Sequence, residues 1–123
     1  MNERLYIAVF VLAAGRHITV GRLGRRFFRQ GMYLYVGSAR RNLAARLARH
    51  ARKNKPLHWH IDYLSARADM LGVVLVYGPN QSECRLAEEL AQLYQLAIPG
   101  FGSSDCRCPG HLFYTPKTVP GQT

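Results

Sequence analysis

Leu5 to Leu12 reads LYIAVFVL, a continuous β-prone run that suits a strand buried on both faces, and Gly15-Arg16 breaks it. His17 to Leu23 alternates more weakly and is predicted to be its hairpin partner. A third strand is predicted at Met32 to Val36, introduced by Gly31 and closed by Gly37-Ser38. From Asn42 the period changes. Leu43, Leu47 and His50 recur at i, i+4 and i+7 among alanines, which predicts an Ala- and Arg-rich helix that Pro56 stops. Leu57 to Arg67 reads as a second, short helix carrying Trp59 and Tyr63, and Gly72 to Tyr77 as another strand. Ser82 is a good N-cap for a last helix whose apolar stripe is Leu86, Leu90, Leu93 and Ala97, ended by Pro99-Gly100.

The order is β-β-β-α-α-β-α, a mixed α+β chain: a small three-stranded antiparallel sheet flanked by helices, with one additional strand. After Pro99 the chain has no periodicity of its own, so an irregular C-terminal segment must be tied down by side chains or a bound ion. At 123 residues, 48% of them hydrophobic, there is material for one core and no more. Residues 1–118 are read as a single domain and 119–123 as a frayed tail. The longest apolar stretch is about half of the ~20 residues a membrane span needs, and no signal-peptide layout precedes it. The expected setting is soluble and cytoplasmic, with no membrane partner.

Charge changes the picture more than composition does. Residues 1–60 hold 13 Lys and Arg against one acid, Glu3, a formal +12, whereas residues 61–123 hold 4 against 6, a formal −2. Fourteen of the 17 cations are Arg, whose planar fork suits phosphate oxygens. A polyanion is the expected partner, and nucleic acid the first choice.

Two constellations could carry chemistry on such a partner. Tyr33 and Tyr35 point to one face of their strand, Gly37 permits close approach, and Arg46 and His50 lie one turn apart on the helix that follows. For phosphodiester cleavage, a phenol or imidazole can take a proton from water and an Arg can hold the extra charge on phosphorus. Ordinary β-forming tyrosines and a solvated helix face would give the same spacing. Glu83 adds to the set. At ~100° per residue it falls within the arc of the Leu86 stripe, where a carboxylate needs a cation beside it; its place in the first helical turn, favoured by the macrodipole, is the competing explanation.

Tyr35-Val36-Gly37, Arg46 on the next helix and a later helical Glu resemble the GIY-YIG endonuclease superfamily, with a degenerate first motif at Leu5-Tyr6-Ile7. The chain is more closely similar to a branch of uncharacterised function, through YVGSA (35–39), RLARH (46–50), HWHIDYL (58–64), ECRLA (83–87) and GFGSSDCRCPGHLF (100–113). The resemblance spans nearly the whole chain. It implies a metal-dependent endonuclease hydrolysing DNA, branched or damaged DNA included, in repair or recombination. Tyr35 would be a general base, with Tyr6 in the first motif, Arg46 on the scissile phosphate and His50 one turn later. Glu83, or alternatively Glu88, would hold one Mg²⁺ or Mn²⁺. Arg40, Arg41, Arg49, Arg52, Lys53, His58 and His60 would line the path of the nucleic acid, and no small-molecule cofactor is implied. Ser38 stands where the family often has a basic residue, and its late asparagine has no clear match. The alternative function is therefore a catalytically silent nucleic-acid-binding module of the same fold.

Cys84, Cys106, Cys108 and His111 have the atoms for a tetrahedral structural zinc, and a zinc-stabilised interaction domain is the third reading. The Cys-x-Cys spacing is not that of a usual zinc loop. The cysteines are read instead as small buried residues, too few for a disulfide framework.

Overall fold

The opening apolar run forms strand β1, Arg4–Leu12, and both of its faces are covered. Tyr6, Ala8, Phe10 and Leu12 point into one hydrophobic cluster and Leu5 and Ile7 into a second on the opposite side, which is why the run does not alternate. The computed structural model describes residues 4–79, 81–102 and 109–116. After β1 come β2 (Arg16–Thr19), a 3-10 turn (Gly21–Leu23), β3 (Arg25–Phe28), β4 (Gly31–Ala39), α1 (Leu43–Ala51) and α2 (His60–Ser65). They are followed by β5 (Asp69–Val76), α3 (Glu83–Ala91), β6 (Gln95–Leu96) and β7 (Leu112–Thr115).

The fold is mixed α+β, as its period changes predict, but the main sheet has five strands rather than three and one. Its order is β5-β1-β4-β7-β6, antiparallel throughout. Residues 17–23 do not pair with β1. That place belongs to β4, which matches β1 in length and pairs with it from Arg4–Ala39 to Leu12–Gly31. RHIT offers only Ile18 to a core, and β2 pairs instead with β3 in a separate two-stranded ribbon. The aperiodic C-terminal segment contains a central strand: β7 lies between β4 and β6, with Leu112, Phe113 and Tyr114 buried.

On one face α1 and α2 close the larger cluster, to which Ile61 and Leu64 contribute fully buried side chains. On the other, α3 lays Leu86, Ala87 and Leu90 over Leu5, Ile7 and Val36. Ser82 caps α3 by accepting the Arg85 N–H at 3.1 Å, as predicted. The helix stops at Ala91, short of the expected Ala97, because Gln95 and Leu96 pair with Tyr114 and Phe113. Leu93, placed in the stripe by periodicity, is 73% exposed.

Candidate active site

Tyr6 and Gly37 face each other across β1 and β4. A Cβ added at Gly37 would lie 2.5 Å from the Tyr6 hydroxyl and 2.6 Å from Cζ, so the bare glycine backbone is the floor on which this ring rests. Gly37→Ala is expected to cost about 1–3 kcal/mol by overpacking and to push the Tyr6 hydroxyl away from its partner. Urea denaturation checks the first effect; an unchanged midpoint would show that the ring is free to move.

That partner is His50. From the last turn of α1 its Nε2 lies 2.7 Å from the Tyr6 hydroxyl, and both side chains are buried. Burial, followed by nearby Lys55, lowers the His50 pKa to about 4, so the imidazole is neutral at pH 7. Burial raises Tyr6 to about 12, against the pull of the neighbouring Arg46 guanidinium. The donor in the Tyr6–His50 hydrogen bond follows the imidazole tautomer, with Nε2 as the ring nitrogen engaged. Nδ1 is buried and unpartnered among the described residues. Tyr35 meets the His50 ring edge-on at 5.8 Å, and burial pushes its phenol above the ordinary range.

Arg46 is fixed at three points. Nη1 donates to the Ser38 carbonyl at 2.7 Å, the guanidinium lies 4.7 Å from the centre of the Trp59 ring, and its charge faces Tyr6 and Glu83. The Glu83 carboxylate accepts a short hydrogen bond from the Ser38 hydroxyl. Its other oxygen stands 3.2 Å from His111 Nδ1, an ion-pair distance without the alignment of a hydrogen bond, and neither His111 nitrogen has a hydrogen-bond partner among the described residues. Burial alone would raise Glu83, but His111, Ser38 and Arg46 outweigh it and hold the carboxyl below its usual range. Glu83 is an ionised carboxylate, about one-third exposed, at a cavity wall.

The segment before and within α2 builds the opposite wall. Buried Asp62 accepts the backbone N–H groups of His58 and Trp59, each at 2.8 Å, and the Arg49 guanidinium at 2.7 Å. This locks the turn that lays Trp59 over Arg46. His60 Nδ1 accepts the Gly102 N–H at 2.8 Å, tying α2 to the turn after Phe101; burial lowers its pKa. Tyr6, Tyr35, Arg46, His50 and Glu83 line one cavity of about 290 Å³, whose remaining wall is His58, Trp59, His60 and Gly102.

A family described as Domain of unknown function DUF123 matches residues 5–122. The chain belongs to this family. No curated protein and no solved structure matches the chain.

The DUF123 domain thus brings the five predicted catalytic positions together, although they come from β1, β4, α1 and α3. Glu88 is exposed and outside the cavity lining, which leaves Glu83 as the carboxylate at the site among the described residues. Of the predicted nucleic-acid contacts, Arg40, Arg41, Arg52 and Lys53 are exposed, and Lys53 pairs with Asp69 at 2.6 Å. Arg49 turns inward to Asp62 and Pro56, a positioning part rather than an open phosphate contact. Cys106 and Cys108 lie outside the described residues. Cys84 is disulfide-bonded and so has no thiolate for zinc, and His111 faces Glu83; the reading of Cys84 as an unbonded buried residue is corrected with it. Among the described residues no helix is long and apolar enough to cross a membrane.

Sequence reasoning does not find Trp59, Asp62, Ser38 and Gly102 as parts of the site. A signal exists for Asp62: it stands three residues after Trp59, where an N3 carboxylate reaches back to the N-cap N–H.

Proposed function

We propose that this DUF123 domain is a GIY-YIG-type endonuclease that hydrolyses DNA phosphodiester bonds with a divalent cation, Mg²⁺ or Mn²⁺. The observation that carries the reading is the convergence of Tyr6, Tyr35, Arg46, His50 and Glu83 on one open cavity. The donor set fits a hard cation. Glu83 offers an ionised carboxylate with lone pairs beyond those used by Ser38 and His111, and one carboxylate with water and substrate phosphate is a normal Mg²⁺ environment. Bound there, the cation would acidify water and neutralise phosphate oxygens.

The protein's own groups divide the remaining work. Arg46, held by the Ser38 carbonyl and Trp59, presents positive charge to the phosphate as charge builds on it. Tyr6 and His50 offer a proton path: the phenol oxygen receives a proton as its own passes to Nε2. With Tyr6 near 12 and His50 near 4, the separated phenolate–imidazolium pair would lie on the order of 10 kcal/mol uphill. Both shifts disfavour a pre-formed phenolate, so the Tyr6 phenol passes a proton on and does not hold a charge of its own. Tyr35, also pushed upward, serves better as a hydrogen-bond donor than as the base the resemblance assigns.

The test is a panel of labelled linear, flap and junction DNAs incubated with Mg²⁺ or Mn²⁺. Cleavage is expected for wild type, lost in EDTA and reduced at least ~100-fold by Glu83→Gln with DNA binding retained. Binding without cleavage of any substrate would assign the domain to the silent nucleic-acid-binding class. Cutting that survives Glu83→Gln would reject the metal assignment.

A further inference from the structure

The β2–β3 ribbon stands apart from the main sheet and takes no part in the cavity lining. Between residues 16 and 29 it carries five arginines and no acid. Opposed residues of an antiparallel pair share a face. Arg16–Phe28 and Ile18–Arg26 make the inner face, where Ile18 and Phe28 are buried; His17–Phe27 and Thr19–Arg25 make the outer one, exposed at all four positions.

The outer face carries an ordered aromatic plane. Phe27 is 54% exposed, and its ring lies over Gly15, where an added Cβ would come within 2.8 Å of Cζ. His17 meets it edge-on, with centroids 5.0 Å apart. A single exposed Phe is ordinary on a protein surface. This one is braced from two sides and shares its face with Arg25, and neither Arg25 nor Arg22 in the turn has a carboxylate partner among the described residues.

The position of the ribbon gives this plane a use. Its turn reaches the cavity's side of the molecule: Gly21 lies against Tyr63 of α2 and Leu23 against Gly100, two residues before the cavity-lining Gly102. From that turn the strands lead outward, with about 7 Å between the Thr19–Arg25 and His17–Phe27 pairs.

We propose that the outer face of the β2–β3 ribbon binds a segment of single-stranded DNA, an unpaired base stacking on Phe27, which His17 braces edge-on, while Arg25 and the turn residue Arg22 take the flanking phosphates. Charge selects the polyanion. The open π-face selects unpaired nucleotides, because duplex bases are already stacked on one another. This inference rests on the nucleic-acid part of the proposed function and is independent of its hydrolytic part.

The test is fluorescence anisotropy of the full chain in EDTA, with a fluorescein-labelled 15-nucleotide oligo(dT), the same strand made abasic at its central positions, and a blunt duplex. Phe27→Ala is expected to weaken oligo(dT) binding roughly tenfold while changing duplex and abasic-strand binding less than about twofold. Phe27→Trp should keep the affinity and show indole quenching on binding beyond any from Trp59. Arg22→Gln with Arg25→Gln should flatten the log–log salt dependence by about 1.4. Unchanged oligo(dT) binding in Phe27→Ala, or an equal loss on strand and duplex, overturns the proposal. So does Phe27-dependent binding of anionic phosphatidylserine vesicles without any binding of oligo(dT). Phe27-dependent binding with no cleavage sustains the ribbon and sinks the hydrolytic reading; cleavage with Phe27-independent binding does the reverse.

Discussion

Arg46→Ala is expected to lower single-turnover DNA cleavage by about 10³-fold while leaving the protein folded. Its guanidinium is the cation that α1 aims into the cavity, and it sits beside both the Tyr6 hydroxyl and the Glu83 carboxylate. Its loss removes the charge that would meet the developing phosphorane, an effect worth ~10²–10³ for a single donor and more for an arginine on a transferring phosphoryl group. It also strips the Tyr6 phenol of the field that opposes its burial. Arg46→Lys is the informative companion. A lysine keeps the charge but not the fork that reaches the Ser38 carbonyl while lying over Trp59, so it should recover only part of the rate. A rate within a few-fold of wild type in Arg46→Ala would mean that the scissile phosphate lies elsewhere.

Asp62→Ala is expected to destabilise the fold by about 3–5 kcal/mol, read as a lower urea midpoint and a melting temperature lower by on the order of 10 °C. The carboxylate is fully buried, and its removal would orphan two backbone N–H groups and strip the Arg49 guanidinium of its counter-charge, leaving it the Pro56 carbonyl. Burial would raise Asp62, but Arg49 and the Trp59 and His58 N–H groups overcome it, so its folded pKa lies below the unfolded one. The sign follows: the stabilisation is complete above the unfolded value of ~3.9 and is lost as pH falls through the lower folded value. The gap between wild type and Asp62→Ala should therefore be full at pH 7 and narrow in strong acid. A gap below about 1 kcal/mol at pH 7 would show that the α2 turn holds without it.

Features that depend on local period or charge are legible in the amino-acid sequence. β1, α1 and the cap of α3 follow from apolar runs, alanine and Ser82. Tyr35, Arg46 and Glu83 line one cavity, and of the three Glu83 is turned inward by its arc position in the helix, which the period shows. What stays hidden depends on pairing at a distance. β6 has two residues, too few to show a period, and exists because β7 offers it an edge. LFYT reads as loop because it follows a Gly-, Ser- and Cys-rich stretch, yet β4 needs a partner on that side. Ser38 reads as a missing basic residue, whereas its hydroxyl holds Glu83. The Gly37 contact is equally non-local, since the ring above it comes from residue 6.

The place of β7 has a bearing on how the molecule is made. Its residues are synthesised after all the other strands, yet they must slot between β4 and β6, and His111 just before them completes the surroundings of Glu83. Such late, sequence-distant pairing is slow to nucleate. On the ribosome the nascent chain would hold β4 with one flank open until residue 115 clears the exit tunnel, so assembly of the cavity waits for β7 and not for the emergence of Tyr6, Tyr35 and Arg46.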